Sequence, residues 1–207
     1  MTDSTETRYG WTSDAPTCAN DYLEAPVLGL VNRLTPRAGV VVDLGCGNGY
    51  LAGRLARLGY DVTGTDAAID GIEQARRAHP AARFVLGSVY DDLELPRADT
   101  VISCEVIEHL YHPRKLLTLA HKVLKPGGAL ILSTPYHGYL KNLALSLTGK
   151  WDRHFTSSSD GAHIKFFSPS TLAPLVVDAG FRVDDIRGAG RLPYLWKSMI
   201  VVARSTP

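Results

Sequence analysis

Two carboxylates and an imidazole stand close together near the middle of the chain, at Glu105, Glu108 and His109. Their spacing is i, i+3 and i+4, so on a helix all three side chains would share one face. Two oxygen ligands and one nitrogen at this spacing can hold a divalent cation such as Mg²⁺, Mn²⁺ or Zn²⁺. An imidazole can also act alone as a general base, because it titrates near neutral pH. The cluster therefore predicts metal or proton chemistry.

The apolar run at 100–104 comes directly before this cluster and predicts a buried β-strand. Ligands bind at the carboxyl ends of the strands in open α/β sheets. A cluster that follows a strand end is therefore expected to face a ligand. A structural role, or one in orienting a cofactor, is the alternative to metal or base chemistry.

An earlier predicted strand, at 40–43, ends in Asp43 and continues into a glycine-rich turn, G-C-G-N-G at 45–49, and then a helix. Glycines suit such a turn because they tolerate positive φ and let a ligand approach the backbone closely. The third glycine comes one residue earlier than in the dinucleotide fingerprint GxGxxG. Asp43 would repel a pyrophosphate but could pair with an amino group. The turn therefore predicts a nucleotide-type ligand other than a dinucleotide.

A further acid, Asp66, ends the run 61–66, which predicts the second strand. It follows Gly45 by about 20 residues, the separation at which a second-strand acid accepts hydrogen bonds from ribose hydroxyls. We expect Asp66 to bind the ribose of an adenosine-type ligand.

These residues must be positioned by alternating strands and helices, which predict an α/β fold with a mostly parallel sheet covered on both faces. The first five strands are predicted at 40–43, 61–66, 83–87, 100–104 and 129–134. Helices are predicted at 21–34, 51–58, 69–79 and 114–124, then up to Leu147 and from 168 to about 180. Closing strands are predicted at 181–186 and 199–203.

Length and charge restrict the class of protein. A chain of 207 residues is expected to form one domain, and a net charge of +1 gives no electrostatic case for nucleic acid or an anionic membrane. The three cysteines contain no CxxC pair, which favours a reducing cytoplasm. The polar start, 1–6, does not resemble a signal peptide, and no run approaches the roughly 18 apolar residues of a membrane span.

Two segments depart from the alternating pattern. Residues 1–35 are expected to form an N-terminal lid and helix, in which Tyr9 and Trp11 either close over a ligand or pack on the surface. Residues 135–165 are expected to form a substrate-side insertion with a polar loop at 148–162. Within it, His137 and His154 are expected to be exposed or to shape a substrate pocket. Together with Tyr22, these segments predict an aromatic-rich substrate pocket.

The run D-L-G-C-G-N-G at 43–49 resembles the first motif of class I S-adenosylmethionine (SAM)-dependent methyltransferases. SAM carries an ammonium and a sulfonium and no phosphate, which suits Asp43. The resemblance implies a Rossmann-like sheet of seven strands with the last one antiparallel. It also implies cofactor contacts from Asp43, Gly45, Cys46, Gly47, Asp66, Ala67, Ser88, Val89, Tyr90, Cys104 and Glu105.

The segment E-V-I-E-H at 105–109 is similar to the ExxEH segment of the ubiquinone-biosynthesis O-methyltransferases and the small-RNA 2′-O-methyltransferases. In those families a distant histidine before a Lys/Phe-rich stretch completes a metal site, which here corresponds to His163 in G-A-H-I-K-F-F. The resemblance thus implies a metal site of Glu105, Glu108, His109 and His163. Glu108, His109 and His163 are also the candidate catalytic residues. One alternative to the metal stays open, in which His109 or His163 acts alone as a general base.

The expected function is SAM-dependent methyl transfer to a small-molecule acceptor, preferably at a hydroxyl oxygen. Metal-free transfer to nitrogen or carbon, a non-catalytic SAM-binding module and a nicotinamide-dependent oxidoreductase are the alternatives; the glycine spacing and Asp43 oppose the last. The chain is expected to be cytoplasmic, a monomer or homodimer, and to bind neither membrane nor nucleic acid.

Overall fold

The computed structural model describes residues 8–155 and 161–206, which contain one seven-stranded sheet. Its strands are β1 Val40–Leu44, β2 Asp61–Asp66, β3 Arg83–Leu86, β4 Ala98–Cys104, β5 Leu124–Pro135, β6 Phe181–Ala189 and β7 Ser198–Ser205. Its helices are α1 Asn20–Leu34, α2 Tyr50–Arg57, α3 Ile69–Ala78, α4 Pro113–Val123, α5 Tyr139–Leu147, α6 Trp151–Phe155 and α7 Pro169–Asp178. The α/β fold predicted by the alternating pattern is confirmed, and so is the Rossmann-like seven-stranded sheet implied by the resemblance.

The strand order is β3-β2-β1-β4-β5-β7-β6, and only β7 runs antiparallel to its neighbours. The order reverses between β1 and β4, which creates a crevice beyond their carboxyl ends. In open α/β sheets, ligands bind at such a switch point. The glycine turn after β1 and the acidic segment after β4 therefore come to the same crevice.

Both faces of the sheet are buried, which explains why the central strands are nearly continuous apolar runs. Successive side chains point to opposite faces, so Val41 and Val42 of β1 enter different hydrophobic clusters. Ile102 of β4 belongs to the same hydrophobic cluster as Val41, and Val101 belongs to the same cluster as Val42. All four side chains are fully buried. This two-sided core holds the strand ends that carry the site.

The segment after β5 differs from the sequence expectation. The loop expected over 148–162 contains the short helix α6, in which Trp151 stacks on Phe155 with ring centroids 4.7 Å apart. The stacked rings bury apolar surface that a polar loop would leave exposed. The serine run of that loop, at 157–159, and the start of the chain, at 1–6, lie outside the described residues.

Within the described ranges, the helices are too short or too polar for any of them to cross a bilayer.

Candidate functional site

A cavity of about 540 Å³ lies at the carboxyl ends of β1, β2 and β4. Ten of the eleven residues expected at the cofactor line it: Asp43, Gly45, Cys46, Gly47, Asp66, Ala67, Ser88, Tyr90, Cys104 and Glu105. Val89 is the exception, since its side chain is buried in the hydrophobic core. Because Ser88 and Tyr90 flank it, the loop still reaches the cavity as expected.

Asp43 lies at the floor of this cavity and is only 2% exposed. Burial, together with the negative charge of Asp66, raises its pKa to about 7. The raised pKa means that the protein itself does little to stabilise the negative charge of this buried carboxylate. A cationic group from a ligand would stabilise its charged form.

The glycine turn brings backbone close to the cavity. Gly47 has φ 53°, and a Cβ at this position would lie 2.6 Å from Cζ2 of Trp11, so a larger residue would collide with that ring. The Gly47 N–H donates to Asp66 Oδ2 at 2.8 Å, and the Ala68 N–H donates to Asp66 Oδ1 at 2.8 Å. Asp66 is therefore oriented by both flanking turns, at the place where a ribose was expected.

The N-terminal segment is attached over the cavity by one acid, Asp70, at the start of α3. The backbone N–H groups of Tyr9, Gly10 and Trp11 donate to its carboxylate at 3.1, 2.7 and 2.8 Å. These three hydrogen bonds help to lower the pKa of Asp70. Tyr9 and Trp11 both line the cavity, so they occupy the position that a lid would need, and their lid function stays a prediction.

Glu105 departs from the helical arrangement predicted for the acidic cluster. Its backbone is left-handed, with φ 55°, and the following helix is a single 3-10 turn, Ile107–His109. The three side chains therefore do not share one face of a regular helix. Ser133 and Ser198 donate to the two Glu105 carboxylate oxygens at 2.7 and 2.9 Å. Burial raises the pKa of Glu105 to about 7.

Glu108 is fully buried and connects two distant segments of the chain. Thr134 donates to its Oε2 at 2.9 Å, and the N–H groups of Ile164 and Lys165 donate to its backbone oxygen at 2.9 Å. These last bonds place His163 beside the 3-10 turn. Burial and the charge of Glu105 raise the pKa of Glu108, and its Oε1 has no hydrogen-bond partner among residues 8–155 and 161–206.

His109 and His163 face each other next to this orphaned oxygen, with ring centroids 4.9 Å apart. The Gly161 carbonyl accepts from His109 Nδ1 at 2.6 Å, which assigns the proton to Nδ1 and leaves Nε2 free. His109 Nε2 lies 3.9 Å from Glu108 Oε1. Burial and the proximity of His109 lower the pKa of His163 to about 4, and its buried Nδ1 lacks a partner in the described chain.

One carboxylate and two imidazoles thus converge, with a ligand atom from each of Glu108, His109 and His163 within 4.8 Å of the others. Atoms that coordinate one divalent ion lie within about 4–5 Å of each other. The donor set and the two orphaned atoms therefore suit a divalent cation. Glu105, the fourth ligand expected from the sequence, is outside this group because two serines hold its carboxylate.

A second cavity, of about 990 Å³, adjoins the first. The two share five lining residues, Tyr9, Thr17, Ala19, Glu105 and His109. As expected, Tyr22, His154, His163 and part of the 135–165 segment line the second cavity. His137 instead is buried, and its ring stacks on Phe155 with centroids 6.3 Å apart.

The sequence interpretation missed the residues that the β6–β7 connection and the start of β7 contribute to the second cavity, which are Arg191, Leu192, Leu195, Lys197 and Ser198. It also missed Asp70. A local pattern could have suggested none of them, because each acts on a segment far away in the chain.

The reversal of strand order between β1 and β4, the antiparallel β7 and the acidic cavity beyond the glycine turn define a class I methyltransferase fold. The chain belongs to the methyltransferase domain family, whose sequence model matches residues 20–186.

Curated relatives agree with this assignment. The chain is 33% identical over 162 residues to a ubiquinone biosynthesis O-methyltransferase of Cereibacter sphaeroides. This alignment covers 75% of this chain and 65% of that protein. It is 31% identical over 195 residues to the protein of the same name from a Ruegeria species, covering 87% of this chain and 77% of the relative. The first of these relatives is thus longer, and the chain spans about two thirds of it.

Solved structures show the same fold. The CcbJ methyltransferase of Streptomyces caelestis aligns with a TM-score of 0.70 and 19% identity, over 96% of this chain and 94% of that one. A magnesium protoporphyrin IX methyltransferase from Synechocystis, solved with S-adenosylhomocysteine (SAH), aligns with a TM-score of 0.69 and 20% identity, over 89% and 82%.

Proposed function

We propose that this chain transfers the methyl group of SAM to a hydroxyl oxygen of a small-molecule acceptor. The observation that carries this proposal is the junction of the two cavities at Glu105 and His109, where Glu108 and His163 also converge. The likeness to ubiquinone biosynthesis O-methyltransferases supports oxygen as the acceptor atom.

The first cavity suits SAM in size and charge. When bound, SAM supplies a methyl group activated by its sulfonium. Asp43 offers a buried carboxylate whose raised pKa calls for a cationic partner, which the ammonium provides. Asp66 offers two oriented oxygens to the ribose hydroxyls, and the loop at Ser88 and Tyr90 offers a wall for the adenine.

The second cavity holds the acceptor so that its hydroxyl reaches the shared wall. The acceptor oxygen forms a bond to the methyl carbon while the carbon–sulfur bond breaks, and the electron pair of that bond stays on sulfur to give SAH. The hydroxyl proton passes to water if a metal ion assists, or to His109 Nε2 if none does. Most of the rate gain comes from holding the two reactants in line and from excluding water, to which Tyr9 and Trp11 contribute as a lid.

Glu108, His109 and His163 are the catalytic group, and we propose that they hold a divalent cation. Such an ion, when bound, lowers the pKa of a hydroxyl beside it. The chain prepares this role in two ways: Gly161 orients His109 through Nδ1, and Thr134 orients Glu108 through Oε2.

A second candidate uses the same residues without metal. His109 lies on the shared wall, its Nε2 makes no hydrogen bond within the described residues, and this nitrogen can take the hydroxyl proton directly. Metal-free methyl transfer to a nitrogen or carbon atom of the acceptor would depend less on Glu108, His109 and His163.

Calorimetry and a methyl-transfer assay test these proposals together. SAH is titrated first, and Mg²⁺, Mn²⁺ and Zn²⁺ are then titrated into the SAH-saturated protein and its His163→Ala variant. Transfer of labelled methyl from SAM to catechol, a simple dihydroxy probe, is followed with and without the metal that binds.

Metal binding that is lost in His163→Ala supports the three-residue site, and transfer that needs no metal favours His109 as the base. Absence of SAH binding would overturn the function itself.

A further inference from the structure

The second cavity has a strongly cationic lining. Lys141, Lys150, Arg191 and Lys197 all line it, and Glu105, at its junction with the first cavity, is the only acid among the described lining residues. The cations come from α5, from the turn after it and from the β6–β7 connection. Four positive side chains around one cavity create a potential that attracts anions.

The negative charge of Glu105 acts on Lys141, but from beyond salt-bridge distance. Within residues 8–155 and 161–206, none of the four forms an ion pair within 4.0 Å. Lys197 Nζ instead lies 4.7 Å from the centre of the Tyr22 ring. Lys141 Nζ donates to the Lys197 backbone oxygen at 3.0 Å.

Lys141 is buried in this wall. The residue is 7% exposed, and burial lowers its pKa to about 8, while the negative charge of Glu105 opposes the shift and the positive charge of Arg191 adds to it. An anion in the cavity would reverse that effect. Lys150 and Arg191 are exposed to solvent and can move toward a ligand.

The lining also contains several apolar or aromatic side chains, among them Tyr22, Pro135, Leu145, Leu192 and Leu195. A ligand that matches both features has an apolar body and an anionic group. The reacting hydroxyl would lie at the wall shared with the first cavity, and the anion would lie beside the cations that only the second cavity contains.

We propose that the methyl acceptor carries an anionic group, a carboxylate or a phosphate, bound by Lys150 and Arg191 with support from Lys141 and Lys197. The inference rests on the proposed function, because it takes the second cavity as the acceptor site. It narrows the acceptor from any small hydroxyl compound to an acidic one.

Calorimetry on SAH-saturated protein tests the charge preference with simple probes: benzoate, phenyl phosphate, and the neutral benzamide. We expect at least one anion to bind about tenfold more tightly than benzamide, since charge-assisted hydrogen bonds are stronger than neutral ones. Whichever of benzoate and phenyl phosphate binds more tightly shows whether the cavity prefers a carboxylate or a phosphate. The inference is overturned if neither anion binds more tightly than the amide.

A double variant, Lys150→Gln with Arg191→Gln, tests the residues. Both side chains are exposed, so the fold should tolerate the changes. The anion preference should fall to about twofold, because two of the four charges are gone. Lys115→Gln, which removes an exposed cation of α4 outside the cavity lining, should keep the full preference. An unchanged preference in the double variant would overturn the assignment.

The two proposals fail in different ways. A protein that binds SAH and methylates catechol but prefers no anion contradicts only the acidic acceptor. A protein that does not bind SAH contradicts the proposed function.

Discussion

The two adjoining cavities carry opposite charge. Asp43 and Asp66 face the first cavity, whereas Lys141 and Arg191 face the second, and Glu105 lies on their shared wall. The acids come directly from strand ends, which the sheet holds rigidly. The bases come from α5 and from the connection between β6 and β7. The difference in charge suits the proposed pairing of a cationic methyl donor in the first cavity with an anionic acceptor in the second.

The proposed catalytic cluster of Glu108, His109 and His163 should give the largest effect. His163→Ala removes one of the three converging side chains and should lower kcat by about 100-fold, the usual contribution of acid–base or metal assistance. SAH affinity should stay unchanged, because His163 does not line the first cavity. Steady-state kinetics with catechol and SAH calorimetry measure the two quantities. An equal loss of SAH affinity would mean that the two cavities are not functionally separate.

The charge of the first cavity is tested by Asp43→Asn, which keeps the shape but removes the negative charge. We expect SAH affinity to fall by about 30-fold, as for loss of a charged hydrogen-bond partner of about 2 kcal/mol. Calorimetry at pH 8 measures this, with Asp61→Asn, an exposed acid of the same sheet, as the matched control. If both variants bind SAH alike, Asp43 does not bind the amino group.

The pH dependence of SAH binding is a further test of whether the Asp43 carboxylate binds the amino group. Because the pKa of Asp43 is raised to about 7 in the free protein, the carboxyl becomes protonated as the pH falls below 7. The ammonium of SAH binds the ionised form, so affinity should decrease by about tenfold between pH 7.5 and 6. Calorimetry across this range measures the slope. In Asp43→Asn the slope should disappear; if it persists, another group, such as Glu105, is responsible.

The N-terminal segment should give the smallest effect. Asp70→Ala removes the acceptor of three backbone N–H groups that hold Tyr9, Gly10 and Trp11 over the first cavity. SAH should dissociate about fivefold faster, because exposed hydrogen bonds contribute modestly. Stopped-flow Trp fluorescence follows the release, with Glu73→Ala as a control at an exposed position of α3. An unchanged release rate would show that the segment is not a lid.

Local sequence patterns were sufficient for the strands and for the positions of Asp43 and Asp66, whereas the pairing of His163 with Glu108 and His109 came from the resemblance to known families. The strands follow from short apolar, β-branched runs and from the glycine turn, which involve only a few neighbouring residues. The prediction that Glu105 shares a helix face with Glu108 and His109 was wrong, for a local reason that no sequence pattern reveals. Its left-handed backbone breaks the predicted helix before the 3-10 turn, and Ser133 and Ser198 take its carboxylate.

The sequence by itself thus determined the fold class, through short-range periodicity, and the resemblance of one motif implied the methyltransferase family and ten residues that line the first cavity. The tertiary structure alone decided the cationic lining of the second cavity. Lys141 and Lys197 are joined there only because β7 pairs with β5 and brings the β6–β7 connection next to α5. Contacts between segments so far apart arise from strand pairing and burial, which leave no local signal in the residues that they bring together.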